Sequence, residues 1–155
     1  MAAVAGLLVG LAPARAAAAP SCDRGTLVDA RLAELGRFGV EWRVGPTRPD
    51  AWGVTLPDEG VTVSEVVPCK PALILSIVNH EWMHTQQMRA YPDRRLRSRV
   101  YGRYVETVAD CGSLLLGSRY TPYLGQRARE TCRAVVGCTT FEYGAALRLL
   151  AAAGR

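Results

Sequence analysis

The 155-residue chain has few residues that could carry chemistry. It contains only two histidines, His80 and His84, so any metal site or acid–base reaction that needs imidazole must use these positions. Lys70 is the single lysine among 19 basic residues, and the arginines are scattered apart from a short run, Arg94, Arg95, Arg97 and Arg99. This scatter argues against a dedicated nucleic-acid-binding face, even though the net charge is +5.

The chain also lacks a hydrophobic run long enough to span a bilayer. Residues 2–11 are apolar, but a spanning helix needs about 20 such residues and Arg15 prevents an extension, so we expect no stable membrane span. The Ala-rich segment 14–19 suits cleavage by a signal peptidase. We therefore predict that residues 1–20 are a removed signal peptide. The mature chain, residues 21–155, is expected to be a single monomeric domain, secreted or held in the cell envelope.

The cysteines support an oxidising compartment. Five follow the signal segment, and exported proteins oxidise such residues in pairs, so we expect two disulfides and one remaining thiol. We favour a bond of Cys22 with Cys69, and one of Cys111 with either Cys132 or Cys138. Each bond would tie a peripheral segment to a central one.

Hydrophobic periodicity predicts an α+β fold with a small sheet in the first half. A helix is expected over residues 26–35, with Thr26 as its N-cap and Gly36 as its stop. Alternating apolar residues then predict three short strands in an antiparallel sheet, at residues 40–44, 54–56 and 61–63.

The second half is predicted to be helical. Residues 72–90 contain no glycine or proline, and Pro71 can occupy the first turn of a helix. Because the start of this segment is apolar on nearly all sides, we expect a helix buried at the centre of the fold. Three further helices are expected at residues 103–116, 126–136 and 143–153.

The central predicted helix carries the motif His80-Glu81-Trp82-Met83-His84. Residues four apart lie on one helical face, about 6 Å apart along the axis, so both imidazoles can reach one metal ion. Glu81 points about 100° away from His80, which is too far to ligate comfortably beside both histidines but near enough to reach a water molecule on the metal. This position suits a general base.

A zinc ion held by two histidines needs a third protein ligand and an open position for water. The next predicted helix places Glu106 and Asp110 four apart on one face. We expect Glu106 to be the third ligand and Asp110 to accept the far N–H of His80, which fixes the tautomer. Cys111 lies about 140° from Glu106, so a disulfide or a packed thiol suits it better than a ligand role.

These motifs resemble a known family. His-Glu-x-x-His followed by Glu-x-x-Ala-Asp is similar to the gluzincin metallopeptidases, and the longer strings His-Glu-Trp-Met-His-Thr-Gln-Gln and Glu-Thr-Val-Ala-Asp-Cys look like small bacterial neutral zinc metallopeptidases. The resemblance covers residues 76–118. It implies one Zn²⁺ per chain with zinc ligands His80, His84 and Glu106, catalytic acid/base Glu81 and supporting carboxylate Asp110. It also implies a zincin-like fold, in which the active-site helix lies under a small sheet whose edge strand binds extended peptide. The alternation at residues 61–63 is compatible with that edge.

One family feature is missing. Larger gluzincins use a further histidine or a tyrosine to stabilise the oxyanion, and this chain has no third histidine. Tyr120 and Tyr123, just beyond the ligand helix, are the nearest hydroxyl candidates, with Tyr101, Tyr104 and Arg119 behind them.

The sequence thus predicts a secreted zinc-dependent endopeptidase that cleaves peptides or proteins. The alternative is a zinc-binding but catalytically inactive protein that recognises an envelope component. A carboxylate-bridged di-iron bundle is excluded, because that class needs a second Glu-x-x-His pair and hence more histidines.

Overall fold

The computed structural model describes residues 22–130 and 137–155, with residues 127–130 described without their side chains. Over these residues the chain has the predicted α+β class. The predicted signal peptide, Cys132 and the second half of the helix predicted at 126–136 lie outside the described residues. The elements in chain order are α1 (Arg24–Leu35), β1 (Trp42–Gly45), β2 (Gly53–Leu56), β3 (Gly60–Ser64), α2 (Pro71–Ala90), α3 (Arg94–Tyr101), a 3₁₀ turn (Gly102–Tyr104), α4 (Val105–Leu115), α5 (Pro122–Glu130) and α6 (Thr140–Ala152).

The sheet is mixed, with strand order β1-β3-β2, and the prediction of an antiparallel sheet is wrong for one pair. A short turn joins β2 to β3, which makes this pair antiparallel, with Thr55 opposite Val61. β1 runs parallel to β3, with Trp42 opposite Val61. The connection from β1 to β3 includes β2 itself, and it is therefore long enough for a parallel pair. Alternation in the sequence indicates which residues face the core, but it does not give the direction of a neighbouring strand.

β3 is the central strand, so the expectation that residues 61–63 form a peptide-binding edge is also wrong. Val61 and Val63 are fully buried, and β2 forms the edge beside the helices. The chain enters β3 through Gly60, which has φ +78° and whose added Cβ would lie 2.4 Å from the carbonyl oxygen of Glu41. A side chain at position 60 would therefore prevent β3 from reaching its place between the two other strands.

α2 is the buried central helix that the sequence predicted. Pro71 starts it, and the chain leaves it at Tyr91, just before Pro92. Trp82 is fully buried, and its indole N–H donates to the carbonyl oxygen of Gly36, 2.8 Å away, at the end of α1. The helix that carries the histidine motif is therefore held by core packing on several sides.

Three helices begin two or more residues before their predicted starts: α1 at Arg24, α5 at Pro122 and α6 at Thr140, against predicted starts at 26, 126 and 143. Asp23, and not Thr26, caps α1, because its carboxylate accepts the amide N–H of Gly25 at 3.0 Å and the hydroxyl of Thr26 at 2.6 Å. α3 was not predicted; it begins where the Asp93 carboxylate accepts the amide N–H of Leu96 at 2.7 Å. Four of its eight residues are arginines, so the segment has too few apolar residues to indicate a packed helix from the sequence.

Two disulfides link segments of the described chain that lie far apart in the sequence. Cys22 is bonded to Cys69, as predicted, and Cys111 is bonded to Cys138, one of the two predicted partners. Among the described residues, no helix combines the length and apolarity that crossing a membrane requires.

Candidate metal centre

Three side chains from α2 and α4 bring their ligand atoms together. His80 Nε2 and His84 Nε2 lie 3.0 Å apart, and they lie 3.2 Å and 3.1 Å respectively from Glu106 Oε2. Zinc bonds of about 2.0–2.1 Å in a tetrahedron separate two ligand atoms by about 3.3 Å. The three observed distances are close to this value, and these three residues could hold a metal ion. We call the three atoms, His80 Nε2, His84 Nε2 and Glu106 Oε2, the triangle.

The close approach of the two helices makes this convergence possible. His80 and His84 are one turn apart on α2, and Glu106 lies in the first turn of α4. One turn and a half further along α4, Gly112 packs on Met83, and a Cβ at position 112 would lie 2.3 Å from Met83 Cε. A larger residue at position 112 would therefore displace the buried Met83 side chain or separate the ligand helices.

Each histidine has a partner on the side away from the triangle. His80 Nδ1 lies 2.8 Å from Asp110 Oδ1, which is the contact expected from the sequence. His84 Nδ1 lies 2.9 Å from Gln87 Oε1, while Gln87 Nε2 donates to the carbonyl oxygen of Val105 at 2.9 Å. Because a carboxylate and an amide oxygen only accept hydrogen bonds, both Nδ1 atoms must donate. In the neutral tautomer, each Nε2 then presents its lone pair to the triangle.

The triangle therefore attracts positive charge. Three lone pairs facing one point repel one another unless a proton or a cation lies among them. Burial lowers the pKa of His80, but hydrogen bonds to Asp110 and Glu106, together with the charges of Glu81 and Asp110, raise it to about 10. Burial raises the pKa of Glu106, yet its hydrogen bonds with His80 and His84 hold that pKa well below its usual range.

Glu81 is buried next to this centre but is not part of the triangle. Its Oε2 accepts a hydrogen bond from Thr55 Oγ1 of β2 at 2.5 Å. Its Oε1 lies beside Gly53, where an added Cβ would be only 2.5 Å away. The edge strand thus holds the Glu81 carboxylate through the hydroxyl of Thr55, and the missing side chain at Gly53 leaves space for it.

Three residues that contact the centre are absent from the sequence motifs: Gly53, Thr55 and Gln87. Gln87 lies three residues after His84 on the same helix, so helical spacing alone could have identified it. The alternation in the sequence predicts Val54 and Leu56 as the inward positions of β2, and it therefore directs Gly53 and Thr55 away from the core. In the structure Leu56 is 41% exposed, and the alternate residues of β2 face α2.

Two clefts meet at the centre. The large cleft, about 610 Å³, runs along β2 and the C-terminal half of α2 to α3 and α4. The small cleft, about 440 Å³, lies over the N-terminal half of α2, between Trp52 and Tyr120. Gly53, His80 and Glu81 line both clefts, so the candidate centre is open to space on two sides.

The two tyrosine candidates lie in different surroundings. The Tyr123 ring stacks on His80, with ring centroids 5.5 Å apart and planes 16° apart, and it lines both clefts. Burial raises the pKa of Tyr123 to about 12, and the charges of Glu106, Glu81 and Asp110 add to the effect. Tyr120 lines only the small cleft, and its backbone N–H donates to Ser76 Oγ at 3.3 Å.

The contacts of the three remaining candidates for stabilising the oxyanion suit structural roles. Tyr101 is 3% exposed and packs edge-on against Tyr91, while Tyr104 contacts Phe141. The backbone N–H of Arg119 donates to Ser76 Oγ at 3.1 Å. Among the described residues that line the two clefts, none of these three candidates occurs.

Asp110 accepts further hydrogen bonds from the start of α5. Its Oδ2 accepts the backbone N–H groups of Tyr123 and Leu124, each at 2.9 Å. The same carboxylate therefore orients His80 and positions the tyrosine that stacks on it. Cys111, the next residue, points off the ligand face into its disulfide, as the helical spacing predicted.

Comparison of the chain with models of protein families, with curated proteins and with solved structures found no match.

Proposed function

We propose that the protein is a zinc-dependent endopeptidase with a zincin-like fold. The observation that carries this proposal is the convergence of His80 Nε2, His84 Nε2 and Glu106 Oε2 within 3.2 Å of one another, beside a buried carboxylate that takes no part in the triangle. Two imidazoles and one carboxylate suit zinc, and three protein ligands leave a fourth position open, as catalytic zinc sites require.

The chemistry divides between the ion and Glu81. Bound zinc would supply a Lewis acid that polarises the scissile carbonyl and lowers the pKa of water toward 7. Glu81 accepts a proton from the attacking water and returns it to the leaving amine, so that the C–O bond forms and the C–N bond breaks. The hydrogen bond from Thr55 holds Oε2 of Glu81 and leaves Oε1 to exchange the proton.

Tyr123 is our candidate for stabilising the oxyanion. A phenol can donate a hydrogen bond to a developing negative charge only while it keeps its proton, and the ordinary phenol pKa of about 10 is already high enough for this at neutral pH. Its ring is held against His80, and its backbone is held by Asp110. Tyr120 lacks both of these contacts among the described residues, which makes it the weaker candidate.

The open clefts support cleavage within a chain rather than at its end. Space continues on both sides of Glu81, so a peptide can extend in both directions from the reacting bond. Among the described strands, β2 is an outer strand of the sheet along this path, and extended peptides bind such edges through backbone hydrogen bonds.

We also propose that the protein acts outside the cytoplasm. The bonds Cys22–Cys69 and Cys111–Cys138 persist in oxidising compartments and are uncommon in reducing ones.

The experiment is a metal determination combined with a cleavage assay. We expect about one zinc per chain, and cleavage of an unfolded protein such as casein that a chelator stops and zinc restores. Glu81→Gln should keep the zinc and lose cleavage, because only the proton carrier is removed. Glu106→Ala should lose zinc. Glu65→Gln, at an exposed glutamate, is the matched control and should change neither property.

Two results would contradict the proposal. Full cleavage by Glu81→Gln would remove Glu81 from the reaction. Stoichiometric zinc in the unaltered protein without cleavage of any unfolded substrate would favour the inactive zinc-binding alternative.

A further inference from the structure

The large cleft carries an excess of positive charge away from the metal centre. Arg43 from β1 and Arg97 from α3 line the large cleft and not the small one, and neither forms an ion pair with a described carboxylate. Arg48 lines both clefts and lies 3.7 Å from Asp50, so its charge is partly compensated. Beyond the centre itself, Glu59 is the one carboxylate among the described residues lining the large cleft.

The two unpaired arginines are placed to meet a bound chain. The large cleft is lined by successive residues of β2 from both faces of the sheet and reaches Thr62 of the central strand, and Arg43 is exposed at this end of it, in register with Thr62. Arg97 is half-buried, and its Nη1 donates to the carbonyl oxygens of Tyr91 at 2.9 Å and Pro92 at 3.4 Å. These bonds hold one end of the guanidinium, so the group is oriented before any ligand arrives.

We propose that the protein prefers substrates with aspartate or glutamate side chains on one side of the cleaved bond, in the segment that occupies the large cleft. This inference rests on the proposed endopeptidase function. An arginine lining a cleft attracts a carboxylate and repels a lysine or arginine side chain, and it does so over roughly a Debye length of 8–10 Å. The small cleft lacks this excess, so the preference is confined to one side of the bond.

The test begins with the zinc-loaded full chain and a pool of short, unstructured peptides. Mass spectrometry of the fragments gives the residues flanking each cleaved bond. We expect aspartate and glutamate to be enriched within about four positions on one side only. Cleavage that a chelator stops but that shows no enrichment, or that shows enrichment of lysine and arginine, would overturn this inference and leave the proposed function standing.

A matched pair of peptides, with glutamate or glutamine at the enriched position, then measures the effect of charge. An exposed ion pair changes an equilibrium by up to about fivefold, so we expect a glutamate preference in kcat/KM of about two- to fivefold for each arginine engaged. Raising the salt from about 20 mM to about 0.5 M should reduce it. Equal kcat/KM values for the two peptides at low salt would contradict the inference.

Variants assign the effect to the cleft. Arg43→Gln should reduce the glutamate preference, whereas Arg95→Gln, at an exposed arginine of α3 outside the described lining of the large cleft, should preserve it. Arg97→Lys keeps the charge and should retain most of the preference if folding is intact. Equal losses in Arg43→Gln and Arg95→Gln would indicate a general charge effect and would refute the assignment.

A binding measurement separates failure of the inference from failure of the proposed function. Zinc-loaded Glu81→Gln should bind the glutamate peptide more tightly than the glutamine peptide, measured by fluorescence anisotropy. If the unaltered protein cleaves nothing, the proposed function fails, and this binding ratio still tests the cleft. A ratio of one would then refute the acidic preference as well.

Discussion

Gly53→Ala is the substitution that most directly tests the position of Glu81. Gly53 lies on the edge strand, and an added Cβ would be 2.5 Å from Glu81 Oε1, 2.6 Å from Cγ and 2.8 Å from Cδ. The backbone at Gly53 does not have a positive φ, so alanine introduces no conformational strain there. The effect of the substitution therefore comes from the contact with the Glu81 side chain.

The size of the effect follows from these distances. Ordinary contacts of a Cβ begin near 3.4 Å, so the Glu81 carboxylate, or β2 itself, must move by about 0.9 Å. A displacement of about 1 Å from the reactive geometry lowers a rate by about 100-fold. We therefore expect kcat/KM to fall by about two orders of magnitude. Zinc content should not change, because Glu81 is not among the three candidate ligands.

The assay compares kcat/KM for one peptide with the zinc content of the same samples. Gly45→Ala is the matched control, since Gly45 also lies in a strand and its added Cβ would be 3.8 Å from Thr62 Cγ2, an ordinary contact. Near-normal activity of Gly53→Ala, with a folded protein and a normal zinc content, would refute the assignment of Glu81 as the proton carrier in its observed position.

Three further predictions concern the metal, the disulfide and the pH dependence. Asp110→Asn should weaken zinc binding about 10- to 100-fold in a chelator competition assay, because His80 loses its carboxylate partner, and unchanged affinity would contradict this role. Replacing Cys22 and Cys69 by serine frees a 47-residue loop, so the free energy of unfolding in urea should fall by about 4 kcal/mol, and a negligible change would contradict the loop-entropy account. Burial and the nearby Tyr91 raise the pKa of Tyr101 to about 12, so the neutral phenol stabilises the folded protein fully below pH 10, and this contribution is lost as the pH rises toward 12. Tyr101→Phe should reduce the alkaline loss in the free energy of unfolding by about 2 kcal/mol, measured in urea. An equal alkaline loss in both proteins would refute this prediction.

The candidate centre was largely accessible from the sequence because helical geometry is local. Residues four apart on a helix share a face, so the sequence alone places the two histidines on one face, and likewise Glu106 and Asp110. The hydrogen bond of Asp110 to His80 was expected for the same reason. The zinc ion and the reaction remain predictions.

The parts that the sequence did not predict depend on tertiary packing. Thr55 and Gly53 reach Glu81 only because β2 packs against α2. The two segments are about 26 residues apart in the sequence, and no local pattern predicts that they meet. The predicted direction of β1 was wrong because it depends on which strand the chain pairs with after β2, which the alternation does not show. α3 was not predicted because arginines dominate its sequence.

The three hydrogen bonds that Asp110 accepts have a thermodynamic consequence. They connect His80 with the backbone amides of Tyr123 and Leu124 at the start of α5. Those amide hydrogens exchange with solvent when this end of α5 detaches from the carboxylate. A ligand that binds only the closed arrangement shifts the equilibrium away from opening. Amide exchange at positions 123 and 124 should therefore slow when the ion binds, so occupancy can be observed from a helix that carries none of the three candidate ligands.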